Sequence, residues 1–309
     1  MEHIPVLGEE AVNALAIQRD SIYVDATFGR GGHARRILAQ LGEKGKLYAF
    51  DKDPEAVAAG KQLEQQDQRF TIIHAGFVTM RQELAQKGVE KIAGVLFDFG
   101  LSSPQLDNAS RGFSFRLEAP LDMRMDNSQG LSAKEWLQTV EEEELAKVIR
   151  DFGEERYFKR VAHAIVSYRQ QKPIETTKEL VSVISKVVKV KERGLHPATR
   201  TFQAIRIKIN QELKEIECVL PEVLDLLSPN GRLVSIAFHS LEDRTVKRFL
   251  QENSKPISLP KWVMMKESEL GLSPLKILGH PVKASSEEVA LNPRARSAIM
   301  RVAEKVARK

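Results

Sequence analysis

Residues 24–38, VDATFGRGGHARRIL, run from an apolar strand-like segment through Gly29, Gly31 and Gly32 into a helix-like one. Glycines at such a turn let a backbone approach a ligand closely. The free amides of the helix that follows favour a negative group, such as a pyrophosphate or a carboxylate. Gly29-x-Gly31-x-x-Ala34 also satisfies the loose dinucleotide fingerprint, which accepts alanine at its third position. Asp51 ends the next apolar run, where an acid accepts from both hydroxyls of a ribose. A ribose-binding acid does not separate a nicotinamide dinucleotide from S-adenosylmethionine.

The fourth apolar run adds chemistry. DFGLSSPQ (98–105) places Asp98 at its end, followed by Ser102 and Ser103. An amine that attacks a methyl group needs acceptors to orient its lone pair and take its proton, so these residues are the catalytic candidates. A dehydrogenase would need an acid/base and an arginine for its substrate, and His239 in FHSLEDR could serve there. Ser240 and Asp243 in the same stretch form the S-x-x-D pattern of a helix cap.

RGFSFRLEAPLDMRMD (111–126) mixes Arg111, Arg116 and Arg124 with Phe113 and Phe115. Stacking rings beside cations suit an extruded base and its phosphates; the plainer reading is a lid anchored by its apolar residues. Asp122 and Asp126 have no third ligand in view, so no metal is expected. In HPATRTFQAIRIKINQEL, Phe202, Ile205, Ile209, Leu213 and Ile216 form a core stripe on one helix. Arg200, Gln203, Arg206 and Asn210 form a second stripe, either solvated or facing RNA. The tail from Asn292 carries Arg294, Arg296, Arg301, Lys305, Arg308 and Lys309 against Glu304, a plausible set of phosphate contacts.

These residues need a scaffold. SIYVDAT (21–27), GKLYAFDKD (45–53), RFTIIHAGF (69–77) and IAGVLFDFGLSS (92–103) are strand-like runs, separated by helix-like ones. That alternation predicts βαβ units and a doubly wound, mostly parallel sheet. From about 105 to 227 only helical periodicity is found, after which GRLVSIAFHS (231–240) and ARSAIMRVAEK (295–305) restore the strand pattern. The expected division is a sheet domain of 1–104 plus 216–309, interrupted by a helical insertion of 105–215.

Composition sets the bounds. The chain has 309 residues, 42% hydrophobic and 29% charged, with a formal net charge of +5. This mildly basic balance suits an anionic partner without requiring one. With Cys218 alone, no disulfide can form within the chain, so a reducing, cytoplasmic setting is expected. The opening MEHIPVLGEEAV lacks the apolar segment of a signal peptide, and no run reaches membrane-spanning length. DFG at 98–100 and 151–153 is unaccompanied by other kinase motifs, and no Gly-Lys-Ser/Thr follows the glycine turn.

Taken in order, DATFGRGGHARRIL, FDFGLSSPQLD, RGFSF, PLDMRMD, GEERYFKRVAHAI, HPATRTFQAIRI, FHSLEDRTVKRF and NPRARSAIMR resemble the bacterial ribosomal RNA small-subunit methyltransferase H family. The resemblance covers nearly the whole chain and leaves 251–290 without a motif. It implies a Rossmann-like class I methyltransferase with an inserted all-helical domain that reads RNA. The implied reaction methylates N4 of a cytidine in the decoding region of 16S rRNA, with S-adenosylmethionine as donor. The implied cofactor site comprises Gly31, Gly32, His33, Asp51, Phe77, Asp98 and Gln105. For the RNA, Arg111, Phe113, Phe115, Arg200, Arg206, His239 and Arg294 are the candidates. The expected partner is 16S rRNA, within the small ribosomal subunit; the sequence leaves monomer and homodimer open. A nicotinamide-dependent dehydrogenase and a non-catalytic ribosome-assembly factor are the competing readings.

Overall fold

A computed structural model describes residues 5–189, 196–255 and 273–307. The chain divides into two compact units, one of Met1–Gly100 with Leu213–Lys309 and one of Leu101–Glu212.

The first unit opens with α1 (Gly8–Ala14) and then alternates β1 (Ile22–Asp25), α2 (Gly32–Gln40), β2 (Lys46–Asp51), α3 (Pro54–Gln66), β3 (Phe70–His74), α4 (Met80–Gln86) and β4 (Ile92–Asp98). The helix starts are written locally. Asp53 caps α3 by accepting from the Glu55 amide, and Pro54 fills the first helical position, where its missing N–H costs nothing. Neighbouring strand residues face opposite ways: Tyr23 and Leu96 join one apolar cluster, Val24, Val95 and Phe97 the other. Both faces of the sheet are therefore covered, which is why these strands read as continuous apolar runs.

The second unit holds α5 (Ser103–Asp107), α6 (Ala133–Thr139), α7 (Glu142–Gly153), α8 (Phe158–Arg169), α9 (Thr177–Ser185) and α10 (Thr199–Asn210). Its only pairing outside helices, among the described residues, is an isolated bridge between Pro120 and Thr176. Leu145, Ile149, Val161, Ile165, Leu180 and Ile205 are fully buried in one shared core.

The chain then continues through α11 (Glu212–Leu226), β5 (Leu227–Ala237), α12 (Ser240–Ser254), β6 (Leu275–Ile277), β7 (Val282–Lys283), α13 (Ser286–Leu291) and β8 (Ile299–Lys305). The expected helix from Phe202 through Ile216 is two helices, because Gln211 takes a left-handed conformation (φ 52°) that ends α10. Strand order is β3-β2-β1-β4-β5-β8-β6, with β7 also on β8. β1 to β5 are mutually parallel, while β8 runs antiparallel to β5, β6 and β7. This is the expected α/β architecture, with its order reversing between β1 and β4. Ligands of such sheets bind at that reversal, beyond the carboxyl ends of the strands.

Candidate functional site

β1, β2 and β4 each end in an aspartate, so Asp25, Asp51 and Asp98 share the carboxyl edge of the sheet. Asp25 is 1% exposed. Its Oδ1 accepts from the Thr27 amide at 3.2 Å, and its Oδ2 has no hydrogen-bond partner among the described residues. Burial is the main cause that pushes this carboxyl up to about 7, with the charge of Asp51 adding to it. Thr27 in turn accepts from the Asp98 amide through Oγ1 at 2.7 Å, fastening the β1 turn to the end of β4.

The glycine turn is built for closeness. Gly31 precedes α2 with φ 75°, and a Cβ there would lie 2.7 Å from the Phe28 ring. The Gly29 amide donates to Asp51 Oδ2 at 2.8 Å and the Asp53 amide to Oδ1 at 2.9 Å. Asp51 therefore shapes the turn through one oxygen and the start of α3 through the other. Burial raises it to about 6, against the pull of those two amides. Gly32 is the first residue of α2, whose first turn carries no acid to compete with an anionic ligand group. Phe77, on the short turn after β3, is held edge-on by Phe97 (5.5 Å, 90°) and Phe99 (6.0 Å, 67°).

His33 is 4% exposed. Its Nε2 lies 3.1 Å from the Val6 carbonyl and its Nδ1 lies 3.6 Å from Asp98 Oδ2. Asp98 Oδ1 is buried without a hydrogen-bond partner among the described residues. Burial, then the charges of Asp25 and Glu242, hold the Asp98 carboxyl well above the usual carboxylate range.

The structure thus brings Gly31, His33, Asp51 and Asp98 onto one edge of the sheet unit. His239 is engaged with Glu242. It caps α12, accepting at Nδ1 from the Glu242 amide (3.4 Å) with Nε2 3.0 Å from Glu242 Oε1. The fully buried Glu242 closes the box by accepting from the His239 amide at 3.3 Å, and it also accepts from the Phe238 amide at 2.8 Å. This corrects the expected cap: the capping residue is His239, not Ser240, and Asp243 instead grips Arg301 through both oxygens, at 2.7 and 3.0 Å. Lys305 is likewise engaged, donating to the Leu224 and Leu227 carbonyls. Arg294 is exposed, and Arg308 and Lys309 lie outside the described residues.

Within the helical unit, the Ser102 amide donates to Gln105 Oε1 at 3.0 Å, so Ser102 and Gln105 cap α5, which Ser103 begins. Arg111 is buried and donates to the Arg124 and Met125 carbonyls at 3.1 and 2.7 Å, with its guanidinium 5.9 Å from the centre of the buried Phe113 ring. Arg206 forms a two-pronged pair with Glu212, both contacts at 2.8 Å. Arg200 is half-buried at the start of α10. Phe115 is half-buried, stacked on the exposed ring of His196 (4.6 Å, 16°) and backed edge-on by Phe202.

Asp25, Glu242 and His196 escaped the sequence reading. An acid ending an apolar strand before a glycine turn was a usable signal for Asp25, and the spacing His239-x-x-Glu242 for its partner. Nothing local announced His196.

Buried acids with uncommitted oxygens suit a ligand that carries positive charge, because an unpaired buried carboxylate is costly. S-adenosylmethionine has a cationic sulfonium and an ammonium, together with a ribose and a carboxylate, and the edge of the sheet offers counterparts to each. Comparisons with known proteins agree. The model of the MraW methylase family matches residues 1–306. The ribosomal RNA small subunit methyltransferase H of Neisseria meningitidis serogroup B is 52% identical over 305 residues, spanning 99% of this chain and 93% of the relative. Proteins of the same name from Chromobacterium violaceum (53%, over 99% of this chain and 95% of the relative) and Dechloromonas aromatica (50%, over 98% of each) match similarly. The cofactor is S-adenosylmethionine, and the chain belongs to the MraW methylase family.

Proposed function

We propose that this chain transfers the methyl group of S-adenosylmethionine to N4 of a cytidine in the decoding region of 16S rRNA. The reading rests on the sequence motifs and on the names of relatives about half identical to this chain. The observation that carries the chemistry is Asp98, whose buried Oδ1 stands at the strand-order reversal without a partner among the described residues.

When bound, the cofactor supplies an electrophilic methyl group. The protein supplies position and a proton acceptor. In this reading the Gly32 amide takes the methionine carboxylate, the Gly31 amide being spent on the Phe28 carbonyl at 2.8 Å; Asp51 accepts from the ribose, and Phe77 lies against the adenine. Asp98 accepts from the attacking amine, which localises its lone pair and receives its proton. The helical unit is assigned to RNA recognition, supported by the exposed stacked face of His196 on Phe115 and by the exposed Arg116. The dehydrogenase alternative is set aside by membership of the MraW methylase family.

Transfer of labelled methyl to small ribosomal subunits and to naked rRNA, followed by nucleoside analysis, tests the reading. N4-methylcytidine at one position, lost in Asp98→Asn, is the expected result. Cofactor binding with no transfer to either substrate would overturn it in favour of an assembly factor. Ser102→Ala and Ser103→Ala separate capping from a role in orienting the amine, since unchanged single-turnover transfer assigns both to the cap alone.

A further inference from the structure

The Val6 carbonyl can only accept, so the His33 Nε2 that faces it at 3.1 Å carries a hydrogen. In a neutral imidazole that leaves a lone pair on Nδ1, directed at Asp98 Oδ2 from 3.6 Å. Two facing lone pairs in a buried site repel, and a single proton between them turns repulsion into attraction. The other Asp98 oxygen, Oδ1, is buried and without a partner among the described residues. Among the described residues, the charged groups that act on Asp98 are acids: Asp25 from β1 and Glu242 from α12. His239 is turned onto Glu242.

We propose that Asp98 and His33 form a proton relay, in which the carboxyl takes the proton of the target amine at Oδ1 while passing its own proton from Oδ2 to His33 Nδ1. This rests on the proposed placing of the amine at Asp98. In this relay the resting pair is neutral, an Asp98 acid facing the imidazole Nδ1 across 3.6 Å. As the amine lone pair forms the new C–N bond, the C–S bond breaks and its electron pair stays on sulfur. One amine proton goes to Oδ1 and the Oδ2 proton goes to Nδ1. The positive charge that began on the sulfonium ends on the imidazolium, between Asp98 and the Val6 carbonyl and within the field of Asp25 and Glu242. Burial already favours a protonated Asp98, which by itself would make a poor acceptor; the relay gives that proton a destination. His33 acts through Asp98 and is therefore a positioning residue that also holds the proton.

The first test needs neither cofactor nor RNA. Two-bond 15N–1H spectra of histidine-labelled protein should show His33 as the neutral Nε2–H tautomer with Nδ1 unprotonated. A hydrogen on Nδ1 at neutral pH, as the Nδ1–H tautomer or as the imidazolium, would overturn the relay. The second test is single-turnover transfer across pH at saturating cofactor for His33→Gln and His33→Asn. Glutamine places an amide near the Nε2 position and keeps a donor for Val6; asparagine places one near Nδ1; neither can hold the proton. Measured at saturating cofactor, both should lose ~10²-fold or more in rate and lose the parent pH dependence. A merely structural His33 would instead be rescued by glutamine. Parent rate and pH profile in either variant would overturn the proposal. If the parent methylates some other atom, the reaction assignment fails, while the tautomer in the first test still stands or falls alone.

Discussion

Asp25 is the residue whose cost is easiest to read. Its carboxyl is 1% exposed, and burial lifts its pKa from 3.8 to about 7. A carboxyl whose pKa is raised in the folded state binds its proton more tightly there than in the unfolded chain. Its contribution to stability is therefore full below about pH 4 and is lost as pH rises through about 7. Asp25→Asn keeps an oxygen for the Thr27 amide and cannot ionise. The variant should show a flatter dependence of stability on pH between 5 and 8, and should melt higher than the parent at pH 8, as followed by circular dichroism in denaturant. A parent whose stability does not fall across that interval would show that Asp25 stays ionised. Asp51 carries two kinds of work, so its removal should be felt twice. Asp51→Ala orphans the Gly29 and Asp53 amides, a loss of about 1–3 kcal/mol for an unsatisfied buried donor. It also removes the ribose acceptor, so cofactor affinity measured by calorimetry should fall at least tenfold. Loss of stability with cofactor affinity intact would confine Asp51 to shaping the turn.

The stretch 111–126 is one element in which backbone rules decide the outcome. Gly112 holds φ 70°, and a Cβ there would sit 2.4 Å from the Pro120 carbonyl oxygen. Met123, fully buried, takes φ 62°, a conformation rare for a side chain of its size. Asn210, from the end of α10, holds it in place by accepting from the Met125 amide and donating to the Met123 carbonyl, both at 2.7 Å. Asn210→Ala leaves those two backbone groups unpaired and should destabilise the helical unit by about 1–3 kcal/mol. It should leave cofactor affinity unchanged. A smaller loss would mean that other contacts hold the loop. The sequence announced this loop by its rings and arginines but not its rigidity, because the clamp joins residues 85 and 87 positions apart. The strands are the opposite case. Residues such as Val95, Leu96 and Phe97 are apolar on both faces of β4, a local pattern that fixes a buried parallel strand without long-range knowledge. Likewise Asp51 and Asp98 were legible because they end such runs, whereas His33 was named only through the resemblance, and its place beside Asp98 needed β4. Arg206 lies between: its spacing suggested an outward stripe, and only the chain reversal at Gln211 showed its charge meeting Glu212.

At the scale of the whole chain, apolar burial is organised by unit. Two clusters cover the faces of the sheet, with members drawn from Met1–Gly100 and Leu213–Lys309. The third is drawn from Leu101–Glu212 alone. A unit with its own core can unfold as its own cooperative block. Ile165, 0% exposed in the third cluster, tests this. Truncating a buried isoleucine to alanine costs about 2–5 kcal/mol, from lost transfer energy and the cavity left behind. Ile165→Ala should therefore lower the melting of the helical unit, seen in calorimetry as a transition moved to lower temperature and separated from that of the sheet unit. At a temperature where both units remain folded, S-adenosylmethionine affinity should be unchanged, because Gly31, Asp51 and Asp98 stand on the other core. A single transition that shifts as a whole, with cofactor affinity falling alongside, would show instead that the two cores melt as one.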